Sequence, residues 1–235
     1  MSQETKCVVL INASPKVSEK STSGYLSTLQ AEQLKAVGLE VQRVEARQSL
    51  LPGRSETVFE AMLQADALVF TFPLYVFCLP GLLMRFLQDF AAFRSRCPEK
   101  GKDVKVYAVV NCGFPEADIN REAVRVIKNF SKKMNYFFRF GVQIGGGGML
   151  SSAPNTPFVK KSMAVLNDAF KLMAEDILNC GENPLEDISV AVKFPRRLYY
   201  FMGHKGWFSA AKKNGLKKKD LYRKPYAESS KTTTS

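Results

Sequence analysis

The chain has 235 residues, 46% apolar and 24% charged, which is the make-up of an ordinary globular protein able to bury a sizeable core. Its net charge of +12 sits almost entirely in residues 193–235, which hold 12 Lys and Arg against 2 Asp and Glu, so the basic character belongs to the C-terminal segment and does not argue for a nucleic-acid-binding body. No apolar run approaches the roughly 20 residues of a membrane helix, and MSQETK leads straight into an apolar pattern without the layout of a signal peptide, so a cytoplasmic protein is expected.

Cys7–Ile11, CVVLI, is a continuous apolar run of the kind found in strands covered on both faces. A polar loop follows, and GYLSTLQAEQLKAVG then shows helical spacing with Gly38 as its stop. EVQRVEA predicts the second strand. SETVFEAMLQA predicts a helix with Ser55 in a capping box, and ALVFTF the third strand. Pro80 stands at a helix first turn, after which Leu82, Leu83, Phe86, Leu87, Phe90 and Phe93 form one apolar stripe. VKVYAVV is the fourth strand, 119–135 a basic helix, FGVQIGG the fifth strand and 157–179 the last long helix of the body.

Strands thus alternate with helices five times. That pattern calls for a parallel sheet with helices on both faces, joined by right-handed crossovers, in three α/β/α layers. There are too few units for a (β/α)8 barrel. A doubly wound five-stranded sheet fits, over residues 1–182, with 183–235 as a basic, aromatic extension whose last residues, ESSKTTTS, should be disordered. The ligand of such a sheet lies outside the C-terminal ends of its strands.

Three loops at those ends have unusual composition. The loop after the first strand, Asn12 to Ser23, carries Ser14, Lys16, Ser18, Lys20, Ser21, Thr22 and Ser23 and opens a helix. Free N–H groups, hydroxyls and a lysine there suit a single terminal phosphate. Without the glycines of a dinucleotide or ATP loop, those ligands are disfavoured, and a plain capped helix is the alternative. The loop after the third strand, Pro73, Leu74, Tyr75, Val76, Phe77, Cys78 and Leu79, holds no charge. It suits the edge of a flat aromatic ligand, or else folds back onto the core. The loop after the fourth strand contains Asn111, Cys112, Gly113 and Phe114, where the glycine allows a close approach. GGGG, Gly145 to Gly148, reads as a flexible turn, with a close approach to cofactor or nucleotide as the alternative.

Two stretches carry a resemblance. Ala13-Ser14-Pro15-Lys16 with Ser21-Thr22-Ser23, and Pro73-Leu74-Tyr75 followed by PGLLMRFLQD from Pro80, resemble the NADPH-dependent FMN reductase family, which has the flavodoxin-like fold. The likeness covers roughly residues 5–180. It departs at Ala13, where the family has glycine. It implies that Ser14, Lys16, Ser21, Thr22 and Ser23 hold the FMN phosphate. By the same likeness, Pro73, Leu74, Tyr75, Val76 and Phe77, together with Asn111, Cys112, Gly113 and Phe114, flank the isoalloxazine ring. It further implies NADPH or NADH as co-substrate, a small electron acceptor such as a flavin or quinone, and a homodimer.

With the chemistry on the cofactor, no catalytic triad is expected. The single histidine, His204, lies in the extension and reads as a surface or packing residue. Cys7, Cys78, Cys97, Cys112 and Cys180 contain no C-x-x-C pair, which disfavours disulfides, zinc and iron–sulfur clusters. Cys78 reads as a small buried hydrophobe. Two other functions compete: an FMN-binding electron carrier without NAD(P)H activity, and a module binding anionic surfaces through the extension. Within the extension, residues 194–208 suit packing or a dimer contact, and KKNGLKKKDLYRK a solvated, weakly ordered basic stretch with at most weak membrane-surface contact. No nucleic-acid partner is expected.

Overall fold

A computed structural model describes residues 5–16, 21–97, 103–179 and 185–224. Ser18, Lys20, Cys180 and the ESSKTTTS end lie outside them. In chain order the elements are β1 (Cys7–Asn12), α1 (Thr22–Ala36), β2 (Glu40–Glu45), α2 (Ala46–Ser49), α3 (Ser55–Gln64), β3 (Ala67–Pro73) and α4 (Gly81–Ser95). They continue with β4 (Lys105–Asn111), a 3-10 turn (Ala117–Asn120), α5 (Arg121–Lys133), β5 (Phe137–Gly145), α6 (Gly147–Ser152), α7 (Pro157–Asn179) and β6 (Ile188–Ala191). The last are α8 (Arg196–Lys213) and a second 3-10 turn, Lys218–Tyr222.

The strands form one sheet in the order β2-β1-β3-β4-β5-β6, and every pairing is parallel. Among the described residues the sheet therefore has six strands, not the five expected. The sixth carries only a weak sequence signal, being four residues long and alternating instead of running continuously apolar. Val190 is buried while Ser189 and Ala191 are exposed. A bulge in β5 opposite Val106 and Ala108 prepares the pairing. There the backbone N–H of Gly141 donates to the Asp187 carboxylate at 2.6 Å, so the residue before β6 is tied to the bulge. Residues 188–191, read from sequence as part of the extension, thus belong to the sheet. By internal packing the chain divides into Met1–Lys193 and Phe194–Ser235.

Both faces of the sheet are covered, which is why β1, β3 and β4 read as continuous apolar runs. On one face Val9, Ile11, Phe70, Phe72, Val106 and Val110 meet Phe59 and Met62 of α3 and Leu83, Phe86 and Phe90 of α4. Phe59 packs edge-on against Phe86, with ring centroids 5.3 Å apart. Aromatic pairs of this kind add about 0.5–1.5 kcal/mol beyond their buried area. α1 and α7 pack together on the other face, above Leu10, Val69 and Tyr107.

Helix ends follow their sequence signals in part. α1 stops at Gly38 (φ +83°). Its N–H donates to the Lys35 carbonyl, and the next N–H, from Leu39, reaches back to the Leu34 carbonyl. The expected capping box at Ser55 is absent. Ser55 is already helical, the cap position falls on Arg54, and no side chain bonds there. The C-terminal carbonyls of α7 are held by lysines from strand starts: Lys6 Nζ bonds Ile177 O and Leu178 O, and Lys105 Nζ bonds Ile177 O.

In the C-terminal unit, α8 runs further than the packing segment expected, to Lys213. It ends on Gly215 in a left-handed turn, with Leu216 N–H on the Ala211 carbonyl. Part of the stretch expected to be weakly ordered is therefore helix and 3-10 turn.

Candidate functional site

The three unusual loops leave β1, β3 and β4, which are neighbours in the sheet, so parallel pairing brings all three loops to one edge. Backbone bonds tie them to neighbouring strand ends, including that of β5. Ala13 N–H donates to Thr71 O, Leu74 N–H to Asn111 O, and Cys112 N–H to Ile144 O, each at 2.8–2.9 Å.

The first loop begins with Asn12. Its amide donates to both carboxylate oxygens of Glu45 (3.0 and 2.9 Å), while its own oxygen accepts from Ser14 N–H. Ser14 Oγ in turn accepts from Lys16 N–H. Ser21 caps α1, accepting from Gly24 N–H at 3.0 Å. Its hydroxyl hydrogen remains available as a donor. Thr22 and Ser151 hydroxyls lie 3.2 Å apart, and Ser23 Oγ accepts from Asn111 at 2.9 Å. Of the residues expected here, Lys16 is exposed, Ser14, Ser21 and Ser23 are buried, and Thr22 is half-buried.

The second loop is a two-residue reversal. Tyr75 and Cys78 exchange backbone bonds at 2.9 Å, and the residues between them, Val76 and Phe77, have φ of +48° and +59°. Two successive left-handed residues make the turn that asparagine and glycine normally fill. A β-branched valine in that conformation stores roughly 1–2 kcal/mol. The same loop is bare: Tyr75, Val76 and Phe77 are 44%, 94% and 59% exposed. Phe77 lies nearly parallel to Phe114 of the third loop, with centroids 6.4 Å apart.

In the third loop Asn111 and Cys112 are buried while Gly113 and Phe114 are exposed. The Cys112 thiol faces the Phe114 and Glu116 carbonyls and the Asn120 amide. Burial pushes the Cys112 thiol up from its ordinary pKa, so it is a neutral packing group. Asn120 also donates to Ala117 O and Ile144 O, bracing the loop from behind. A Cβ on Gly113 would meet nothing within 4 Å.

The glycine tetrad is not the simple turn expected. A Cβ on Gly145 would fall 2.3 Å from the Pro115 carbonyl oxygen, and one on Gly147 would crowd Asn111 and Thr22. These glycines let the end of β5 close against the first and third loops. Asn120, Ser151 and Glu45 were not singled out from sequence. Each acts through a partner brought close only by the fold, and no local motif marks it.

A profile of the flavodoxin-like fold matches residues 6–141, more than half of the chain. No curated protein matches. An azoreductase from Bacillus anthracis superposes with a TM-score of 0.54 at 16% identity, covering 73% of this chain and 100% of that one. An NAD(P)H:quinone oxidoreductase from Methanothermobacter marburgensis gives 0.56 at 15%, covering 77% and 100%. An oxidoreductase from Corynebacterium diphtheriae gives 0.58 at 13%, covering 76% and 100%. At such identities the structures establish shared fold. Together with the profile match, the sheet order and the placement of the loops, they identify this chain as a member of the flavodoxin-like fold family.

Proposed function

We propose that this protein is an FMN-dependent NAD(P)H oxidoreductase that passes reducing equivalents from NADPH or NADH to a small acceptor such as a quinone or flavin. The observation that carries the reading is the meeting, at one sheet edge, of a hydroxyl-rich helix start with bare aromatic loops. A terminal phosphate fits the first, and a flat ring the second. The azoreductase and the quinone oxidoreductase of the same fold support the reaction class.

In this reading the first-turn N–H groups of α1 and the hydroxyls of Ser14, Ser21, Thr22 and Ser23 hold the phosphate, with Lys16 adding positive charge. Ser23, bonded to Asn111, also keeps the phosphate loop in register with the ring loops. Pro73, Leu74, Tyr75, Val76 and Phe77 line one side of the ring. Asn111, Cys112, Gly113 and Phe114 line the other, Cys112 through its backbone because its thiol is engaged. Bound there, FMN supplies the hydride and electron chemistry. The aromatic side chains exclude water, and the backbone N–H groups of Val76 and Phe77, between the mutually bonded Tyr75 and Cys78, would face charge gained by the ring. A homodimer belongs to the proposal, since a second copy would cover Val76.

The test is the visible spectrum after soaking with FMN and desalting, followed by anaerobic NADPH in the same cuvette. About one equivalent of retained flavin that bleaches is expected. Flavin retained without bleaching would favour an electron carrier, and no retained flavin would sink the reading.

A further inference from the structure

The C-terminal unit poses a problem of its own. Residues 194–224 carry ten Lys and Arg and one acid, Asp220. They also expose Leu198, Tyr200, Phe201, Met202, Trp207, Leu216, Leu221 and Tyr222, with Trp207 at 71% and Tyr222 at 73%. Among the described residues of this unit, Ala211 alone is buried. An 18-residue helix with two interior glycines, Gly203 and Gly206, and no buried stripe is marginal in water. Its apolar side chains call for a covering surface.

We propose that α8 and the turn after it dock on an anionic lipid bilayer, lying in the headgroup region. Charge argues for this occupant. A second copy of the unit repeats the same positive charge and is repelled, while residues 1–192 are near neutral, with 22 Lys and Arg against 20 Asp and Glu. Chemistry argues against nucleic acid. Aromatic rings stack on bases, but Leu198, Met202, Leu216 and Leu221 find no counterpart there, whereas the acyl boundary accepts them together with Trp and Tyr. Apolar and basic side chains alternate around α8, which lysines and arginines tolerate at an interface by laying their stems along apolar surface and returning their charges to the headgroups. Within the unit, basic and aromatic side chains already lie together, with the charged groups of Arg196, Lys205 and Lys218 over the rings of Tyr200, Phe201 and Phe208 at 5.7, 4.9 and 4.7 Å. Among the described residues no helix is long and apolar enough to cross a membrane, so the contact is with the surface.

Trp207 is the only tryptophan of the chain and a built-in reporter. The full-length protein would be titrated with phosphatidylcholine vesicles, with and without phosphatidylserine, following Trp207 emission and co-sedimentation. The expected result is a shift to shorter wavelength and pelleting with anionic vesicles only. Both should disappear between ~0.1 and ~1 M salt, where the screening length falls from ~10 to ~3 Å. Lys212→Ala with Lys213→Ala should weaken binding about 25-fold, at roughly fivefold per surface lysine. Trp207→Ser, read by sedimentation, should also weaken it. Three results would overturn the proposal: no shift and no pelleting with the native chain; binding of DNA without binding of vesicles; or an emission already short-wavelength and concentration-dependent without lipid, which would make the covering surface another protein copy.

Discussion

Asn111, at the end of β4, donates to the hydroxyl of Ser23 in the first turn of α1 at 2.9 Å and to the carbonyl of Phe72 at 3.1 Å. One buried amide thus joins the end of β3, the end of β4 and the start of α1. Asn111→Asp removes the donor and leaves the buried Phe72 carbonyl facing a carboxylate, while the Ser23 hydroxyl must turn round to donate. It should cost about 1–3 kcal/mol in urea unfolding, and FMN titration should show weakened retention beyond what the stability loss explains. Retention at the native level in a folded variant would remove Asn111 from the site.

Arg139 and Asp176 form a buried bidentate pair at 2.8–2.9 Å, and Tyr107 donates to the same carboxylate at 2.6 Å. Burial alone would raise the Asp176 pKa. The Arg139 and Tyr107 hydrogen bonds, with the charges of Arg139 and Lys105, outweigh it and bring the carboxyl below its ordinary value. A lowered folded-state pKa stabilises above the unfolded carboxylate pKa and is lost as pH falls through the folded one. Asp176→Asn should therefore cost about 3–5 kcal/mol near neutrality by removing the carboxylate that balances the buried Arg139 charge. Measured across the acid range, the variant should also lose part of the native fall in stability.

Val76 holds a left-handed conformation in an exposed turn, so replacing it should help the fold. Val76→Asn, which tolerates that conformation, should stabilise by about 1 kcal/mol in urea unfolding. A loss of stability would mean that the turn is not strained.

Two glycines of the site separate fold from ligand. Gly145→Ala forces a Cβ onto the Pro115 carbonyl and should destabilise by about 1–3 kcal/mol. Gly113→Ala meets open space and should leave thermal stability near native. If the ring approaches this loop as proposed, FMN affinity should fall in Gly113→Ala. Unchanged affinity would move the ring away from Gly113.

Much of the body was legible because its strands are buried on both faces and so announce themselves as apolar runs, as in Cys7–Ile11 and ALVFTF. The α4 stripe from Leu82 to Phe93 and the stop at Gly38 were equally plain, being local signals of period and backbone freedom. What the sequence does not show depends mostly on partners supplied by the fold. β6 depends on Asp187 meeting the Gly141 bulge some 46 residues away. The work of Gly145 depends on Pro115, and the bracing of Cys112 on Asn120. At Ser55 the cause is local: the chain enters the helix one residue early, and a serine inside the first turn no longer caps it.

The short sixth strand also bears on how the protein stays out of trouble with its own copies. Without it, β5 would end the sheet with Val142 to Gly145 offering unpaired backbone groups beside an apolar surface, a template for strand addition by another chain. Four residues suffice to occupy that template, and their own exposed flank is too short to nucleate stacking. A chain cut after residue 182 would keep the candidate site and lose this guard, so its failure would show first as aggregation.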